Sequence, residues 1–167
     1  MQTVVIKIGG SLAIDETKLA DFVMAVSAIS TQDFRVVVVH GGGKDINENI
    51  ALLQETPHFS NGLRITTPSI MKMVEMTLSG HVNKKLVRML LENDSKAVGI
   101  SGVDGKLFEA TKLQGEVDLG QVGDISKVNV AIVQDLLQMG WIPVISPISF
   151  GIGCAFNVET ANLSHCR

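Results

Sequence analysis

The sequence predicts an α/β fold, in which a mostly parallel central sheet carries helices on both of its faces. Short apolar runs of a strand's length recur along the chain, and segments whose apolar residues have helical spacing separate them. Strands that are apolar throughout are typical of parallel sheets covered on both faces. A hydrophobic fraction of 46% against 19% charged residues also excludes a disordered chain. One domain is expected to contain nearly all of the chain.

Strands and helices alternate in the first half of the chain, and glycines mark the strand ends. A β-branched run ends at two glycines, and a second apolar run ends at three. Between them, apolar residues recur at intervals of three and four, which favours a helix. The predicted elements are strand 3–8, helix 18–29, strand 34–39 and helix 45–53.

The second half contains the longest helical pattern, at residues 70–91. Five apolar residues share one face of it, namely Val74, Leu78, Val82, Leu86 and Met89. This face is larger than a small domain needs to cover, so we expect it to form a dimer interface. Met71, Met73 and Met76 are expected to fill space in the core or in that interface. The other predicted elements are strand 97–100, a loop or hairpin at 115–123, helix 128–139 and strand 141–145.

Charge and composition exclude several classes of protein. Fourteen basic and 17 acidic residues give a net charge of −3, which offers no basic surface for nucleic acid. The uncharged stretch 136–158 is long enough to cross a membrane, but glycines and prolines interrupt it, so we expect no membrane span. The two cysteines form no CxxC or disulfide pattern and the N-terminus does not resemble a leader, which predicts a cytoplasmic protein.

Two glycine-rich loops follow the first two predicted strands. Residues 7–11 are Lys-Ile-Gly-Gly-Ser, and residues 40–44 are His-Gly-Gly-Gly-Lys. Beyond the carboxyl ends of parallel strands, such loops let oxyanions approach several backbone N–H groups. The pair predicts a site for two neighbouring anionic groups, although either loop alone could equally be a tight turn. Neither loop fits GxxxxGK[ST] or GxGxxG, which disfavours a P-loop nucleoside triphosphatase or a dinucleotide-binding fold.

Three side chains are candidates for this site or its support. Lys7 would be costly inside an apolar strand unless its ammonium reaches an anion; the alternative is a lysine that extends to solvent from an edge strand. Arg64 lies beside a turn and could bind a carboxylate through two parallel hydrogen bonds, or be an ordinary surface arginine. His40 is expected to be a packed or hydrogen-bonded residue at a strand end. No metal-ligand spacing accompanies it, so we predict no protein-bound metal.

Five segments, in this order, resemble the acetylglutamate kinases of the amino acid kinase family. They are VVIKIGGSL, VVVVHGGGKDIN, NGLRIT with MVEMTLSGHVNKKLV, VGISGVDGKLFEA and GWIPVISPI, and the likeness extends from Thr3 to about Asn157. The resemblance implies the sandwich fold of that family. It also implies transfer of the γ-phosphoryl group of MgATP to the side-chain carboxylate of N-acetyl-L-glutamate, a step of arginine biosynthesis, by a homodimer.

On the ATP side, the resemblance implies roles for three residues of the first glycine loop. Lys7 matches the family lysine that stabilises charge on the transferring phosphoryl group. Gly9 and Gly10 match the loop that holds the ATP phosphates. These roles suit phosphoryl transfer, which requires positioning and positive charge or N–H donors around the equatorial oxygens.

On the acceptor side, the resemblance implies roles for four residues. Gly42 and Gly43 match amides that contact the substrate and its reacting end. Arg64 matches the arginine that binds the α-carboxylate, and Asn157 matches the asparagine that fixes the N-acetylated end. Because the attacking group is already a carboxylate, no strong general base is required.

The last residues depart from the family pattern. In the family the asparagine begins an N-x-N-A-D pattern whose aspartate orients the catalytic lysines, and a second half of the chain binds adenine. Here Ala161 takes the aspartate position, or Glu159 does if two residues are deleted. We therefore divide the chain into an amino acid kinase N-terminal domain at 1–158 and an atypical tail at 159–167, and expect truncation before the nucleotide half.

Two alternatives stay open at this point. The chain could be a non-catalytic remnant that binds N-acetylglutamate or dimerises without turnover. It could also belong to a kinase of a related acyl-amino acid, such as an aminoadipate derivative. The strings NGLR and SGVDGK favour acetylglutamate within the kinase class.

Overall fold

A computed structural model describes residues 1–9, 16–30, 34–52 and 54–158. The strands are β1 (Gln2–Ile8), β2 (Phe34–His40), β3 (Phe59–Ser60), β4 (Leu63–Arg64), β5 (Ala97–Gly102), β6 (Phe108–Lys112), β7 (Val122–Val128), β8 (Ile142–Gly151) and β9 (Cys154–Val158). The helices are α1 (Glu16–Ser30), α2 (Gly43–Leu52), α3 (Pro68–Glu75), α4 (Asn83–Glu92) and α5 (Ala131–Gln138). Gly10 and the tail 159–167 lie outside the described residues.

The central sheet is mixed but mostly parallel, and β8 organises it. β8 pairs in parallel with β2, β5 and β6, and antiparallel with β9. β1 continues the parallel order beyond β2, and β3 with β4 forms a separate two-stranded hairpin. β8 is longer than the predicted strand 141–145 because Pro147 does not end it: this proline falls within the register shift between the pairs Ser101–Ser146 and Gly102–Ser149. Bulges tolerate a residue without an N–H group.

Helices cover both faces of the sheet, as predicted. Along β2, Val36 and Val38 pack into the core beneath α1 and α4, whereas Val37 and Val39 pack into the core beneath α5. This alternation follows from the strand period of two residues. Because all four valines are buried, β2 forms a continuous apolar run, which explains why the sequence indicated a parallel strand.

The long helical pattern is confirmed, but it is not one regular helix. Thr67 caps α3 by accepting a hydrogen bond from the Ile70 N–H at 3.3 Å. A π-helical segment, Met76–Val82, then separates α3 from α4. Such segments are uncommon and frequently lie at functional sites. Periodicity did not predict this one, because the apolar residues keep their spacing of four through it.

The apolar face of this helix is not available for the expected dimer interface, so it gives no argument for a dimer. Val74, Leu78, Val82 and Leu86 are all buried within the chain's own core, so that face is already covered. Of the three methionines, Met71 belongs to the core, Met73 packs at its edge and Met76 is 67% exposed.

The predicted loop or hairpin at 115–123 is confirmed, but the strands that it connects and the start of the next helix differ from prediction. The loop or hairpin at 115–123 connects β6 and β7, an antiparallel pair that the apolar pattern did not reveal. The reason is that β6 exposes part of one face, so its residues alternate with polar ones. The predicted helix 128–139 begins only at Ala131, because Val128 still pairs with Phe108. Among the described helices, none has the length and apolar character of a membrane span.

Candidate active site

A cleft of about 330 Å³ opens beyond the carboxyl ends of β1 and β2. It has the size of small-molecule sites. Six of the seven residues predicted for the site line it, namely Lys7, Gly9, Gly42, Gly43, Arg64 and Asn157. The seventh, Gly10, lies outside the described residues. The fold thus brings together groups that are up to 150 positions apart in the sequence.

Parallel pairing of β1 with β2 places the two glycine loops side by side. Ile8 lies opposite His40 in the register, and the Gly41 N–H donates to the Ile8 carbonyl at 3.4 Å. Helix α2 begins at Gly43, directly after the second loop. The first N–H groups of a helix have no partner within it and carry partial positive charge. The first turn of α2 therefore offers the cleft unpaired donors for an anion.

Gly42 and Gly43 are glycines for different reasons. A Cβ atom on Gly42 would lie 2.8 Å from Leu78 Cδ2 and 3.2 Å from Val82 Cγ2, so the π-helical segment packs against the loop backbone here. A Cβ atom on Gly43 would meet no described atom within 4 Å, and the same holds for Gly9. A side chain at position 42 would thus have to displace the packed Leu78 and Val82 methyl groups, whereas Gly43 and Gly9 leave space between the described residues at the cleft.

Arg64 is a buried cation with unused hydrogen-bonding capacity. Its residue is 8% exposed; Nη2 donates to the Gly43 carbonyl at 3.3 Å, and the guanidinium lies 4.8 Å from the ring centroid of Phe59. Nη1 is buried and has no hydrogen-bond partner among the described residues. Burial lowers the pKa of the guanidinium from its ordinary value, yet arginine stays protonated in proteins. A buried charge without a carboxylate partner is costly, so this group favours an anionic ligand.

Lys7 lines the cleft, but its charge is not buried in an apolar strand as one of the two interpretations assumed. β1 pairs only with β2 within the described residues, and the Lys7 side chain is exposed. The alternative, a lysine on an edge strand, is therefore the correct description of how the strand tolerates its charge. The ammonium is still at the strand end, where it adds a second positive charge to the cleft.

Asn157 lines the same cleft, although it lies near the other end of the chain from the glycine loops. It lies in β9, where its backbone pairs with Ile148 of β8 and Val122 of β7. Its side chain is half-buried at the cleft wall. The cleft lining contains Lys7 and Arg64 and, within the described part of the chain, no aspartate or glutamate. The cleft therefore favours a ligand that carries negative charge and a polar group able to hydrogen-bond to the Asn157 amide.

A buried polar network supports the second glycine loop from behind. His40 is fully buried; its Nδ1 lies 3.0 Å from the Gly41 carbonyl and its Nε2 lies 3.1 Å from Asn83 Nδ2. Burial lowers its pKa to about 4, so the ring is neutral, donates to Gly41 and accepts from Asn83. Asn83 also donates to the Val144 carbonyl at 2.9 Å. His40 is therefore the packed, hydrogen-bonded residue that was predicted.

Several cleft residues were not predicted from the sequence. Leu78, Phe59 and Pro147 all contribute to its walls, and Asn83 holds the loop without touching the cleft. An apolar or amide residue carries no chemical signature by itself. The only available signal was the position of Asn83, a buried polar residue that interrupts an otherwise apolar helix face.

Comparison with known proteins agrees with this geometry. The sequence profile described as the amino acid kinase family matches residues 2–162. Acetylglutamate kinase of Geobacillus thermodenitrificans (strain NG80-2) is 46% identical over 158 residues, which are 94% of this chain and 60% of that protein. Acetylglutamate kinase of Acidothermus cellulolyticus is 41% identical, over 95% of this chain and 57% of that protein. The chain thus spans somewhat less than two thirds of the length of these relatives.

Solved structures show the same fold. The protein smu.665 of Streptococcus mutans UA159 superposes with a TM-score of 0.80 at 24% identity, over 93% of this chain and 63% of that one. N-acetylglutamate synthase of Neisseria gonorrhoeae, complexed with coenzyme A and N-acetyl-glutamate, also gives 0.80, at 23% identity over 96% of this chain and 37% of that one. With the sequence match over nearly the whole chain, these findings establish that the chain belongs to the amino acid kinase family.

Proposed function

We propose that this chain provides the acceptor-substrate site and part of the phosphate site of a phosphotransferase that moves the ATP γ-phosphoryl group to the side-chain carboxylate of N-acetyl-L-glutamate. The observation that carries the proposal is the unpaired, buried Nη1 of Arg64 in a cleft that also contains Lys7 and lacks described acids. Acetylglutamate kinases are among the relatives that match at 40% identity or more.

Each group in the cleft has one task in this proposal. Arg64 binds the substrate α-carboxylate, and Asn157 binds the acetylated amino group. The reacting carboxylate lies near Gly43 and the first turn of α2, where N–H donors restrain it. A preorganised arrangement of this kind lowers the entropic cost of bringing acceptor and donor together.

On the donor side, MgATP is the co-substrate. Lys7 neutralises charge that develops on the transferring phosphoryl group, and Gly9 allows the phosphates to approach the backbone because it has no side chain. Gly10 has the same proposed role from outside the described residues. Within the described lining, Lys7 and Gly9 are the groups available for the phosphates, which is less than such a transfer ordinarily uses.

This limited donor side favours a second candidate function. The 167-residue polypeptide by itself would bind N-acetyl-L-glutamate without turnover. Removing one preorganised electrostatic contact typically slows an enzyme by about 10²- to 10³-fold, so a site with few phosphate contacts has little measurable activity. A homodimer stays a prediction that the family resemblance implies, and light scattering of the purified chain tests it.

The test is a hydroxylamine-trapping assay for acetylglutamyl phosphate. Purified chain, N-acetyl-L-glutamate and MgATP are incubated beside the variant Lys7→Ala and a control, Lys127→Ala, whose side chain is 70% exposed on β7. Product that disappears only in Lys7→Ala would establish phosphotransfer by this chain. Binding of N-acetyl-L-glutamate without product would support the second candidate. Product from the N-acetyl-aminoadipate analogue alone would favour a related substrate. The absence of both binding and product would contradict both candidates.

A further inference from the structure

One short segment, 119–121, joins the two parts of the chain that carry Arg64 and Asn157. Thr66, two residues after Arg64, donates its N–H to the Leu119 carbonyl at 2.9 Å and accepts from the Gln121 N–H at 2.7 Å. The Gln121 carbonyl in turn accepts from the Asn157 N–H at 3.0 Å. Backbone hydrogen bonds therefore run from one wall of the cleft to the other through these three residues.

The connection to Arg64 is tight. Thr66 is fully buried, and its Oγ1 donates to the Arg64 carbonyl at 3.1 Å. Ile65, which lies between Arg64 and Thr66, closes the β3–β4 hairpin by donating to the His58 carbonyl at 2.9 Å. Thr66 thus fixes the backbone from which the guanidinium extends, and a shift of Thr66 would move Arg64.

The connection to Asn157 is equally direct. Besides the backbone bond, Gln121 Nε2 donates to the Ala155 carbonyl at 2.9 Å, two residues before Asn157. Val122 then pairs with Asn157 in parallel register. The segment that holds Thr66 therefore also holds β9, at the Ala155 carbonyl and the Asn157 N–H group.

Gly120 makes this arrangement possible. Its φ of +70° is a conformation that residues with a side chain rarely adopt, and an added Cβ would collide with the Thr66 carbonyl oxygen. Its N–H donates to Asp118 Oδ1 at 2.8 Å. Glycine at this position is required both for the turn and for the close approach of the two backbones.

We propose that segment 119–121 is a positioning clasp: it fixes the Arg64 guanidinium and the Asn157 amide, which hold the two polar groups on the ligand's α-carbon. Because Arg64 is also bonded to Gly43 at the start of α2, the clasp fixes the distance from that α-carbon to the first turn of α2 and so selects the side-chain length of the acyl-amino acid. The inference rests on the proposed function and adds the element that determines specificity. A clasp built from backbone bonds holds the two binding groups at a fixed distance. A ligand one carbon shorter or longer cannot then satisfy both of them and also place its second carboxylate at α2.

The test compares Gly120→Ala with Gly153→Ala. Gly153 has a φ of +80° in the β8–β9 turn, and a Cβ there would meet nothing within 4 Å, so this control carries the same backbone strain without the collision. Calorimetry measures the binding of N-acetyl-aspartate, N-acetyl-glutamate and N-acetyl-aminoadipate to both variants and the original chain. Amide hydrogen exchange at Thr66, Gln121 and Asn157, without ligand, shows whether the clasp has opened.

We expect the original chain and Gly153→Ala to prefer N-acetyl-glutamate by about 10-fold or more, which is the usual scale for one methylene group. Gly120→Ala should reduce this preference to within about threefold and accelerate exchange at the three clasp amides. If Gly120→Ala keeps the full preference, or weakens all three ligands equally, the clasp is overturned while the proposed function stands. If the original chain binds none of the three acids, the proposed function fails and the clasp fails with it.

A second pair of variants decides the question if Gly120→Ala does not fold. Thr66→Val removes the hydroxyl bond to the Arg64 carbonyl but preserves the side chain's shape, and Thr66→Ser restores the hydroxyl. The clasp predicts a reduced preference for N-acetyl-glutamate in Thr66→Val and recovery of it in Thr66→Ser. Equal preference in these two variants would contradict it.

Discussion

Replacing Arg64 with methionine should separate ligand binding from stability. Methionine fills a similar volume but removes the charge and the hydrogen bonds. In the unliganded chain, Arg64 gains one bond to Gly43 and a contact with Phe59, and it leaves Nη1 buried without a partner. The bond from the charged guanidinium is worth about 1.5–3 kcal/mol and the contact about 0.5–1 kcal/mol, whereas an unsatisfied buried donor costs about 1–3 kcal/mol. These contributions nearly cancel, so we expect Arg64→Met to change the free energy of unfolding by less than about 1 kcal/mol.

Ligand binding should respond much more strongly. A hydrogen bond to a charged group contributes about 1.5–3 kcal/mol, which corresponds to a loss of roughly 10- to 150-fold in affinity for N-acetyl-L-glutamate. Arg64→Lys should recover little of this loss, because an ammonium cannot reproduce the planar, two-pronged geometry.

Two assays measure the two effects: calorimetric titration gives the affinity, and urea unfolding gives the stability. Arg35→Met is the matched control, since Arg35 also has a buried Nε without a partner in the described part of the chain but lies at the other end of β2. It should leave the affinity within about twofold. Unchanged affinity in Arg64→Met would refute the assignment of Arg64, and an equal loss in Arg35→Met would show that the effect is not local.

Three further predictions concern the second glycine loop. Because the pKa of His40 is lowered from 6.5 to about 4, the unfolded chain binds the proton more tightly than the folded chain. The free energy of unfolding should therefore be highest above pH 6.5 and fall by about 2 kcal/mol by pH 5, a loss that urea titrations should not find in His40→Gln. Gly42→Ala should lower the free energy of unfolding by about 1–3 kcal/mol through its collision with Leu78, whereas Gly43→Ala should stay within about 1 kcal/mol; a reversed order in urea melts would contradict the packing argument. Asn83→Leu should cost more than about 2 kcal/mol in the same assay, since it leaves buried acceptors unpaired, and a neutral result would show that the network contributes nothing.

Apolar periodicity predicted the central strands because β2 and the first half of β8 are buried on both faces. It could not predict β6, whose exposed face mixes polar residues into the pattern, or the length of β8 beyond Pro147. The same periodicity predicted the helix that begins at Pro68, yet it could not reveal that the apolar face is covered by the chain itself. Coverage depends on tertiary packing that no single segment encodes.

The candidate site shows the same division. Lys7, the glycines and Arg64 carry recognisable chemistry, and the resemblance supplied their grouping with Asn157. The sequence left two interpretations open for Lys7, because an edge strand and a central strand of similar composition cannot be distinguished without the sheet order. Thr66 and Gly120 were missed, because their importance lies in a backbone contact between segments more than 50 positions apart.

Calorimetric titration of the purified chain with N-acetyl-L-glutamate tests the central claim most directly. If the cleft between the glycine loops, Arg64 and Asn157 is an acceptor-substrate site, the titration will show saturable binding of one ligand per chain with a Kd at or below about 1 mM. Absence of binding up to about 10 mM, in a preparation that unfolds cooperatively, would contradict it.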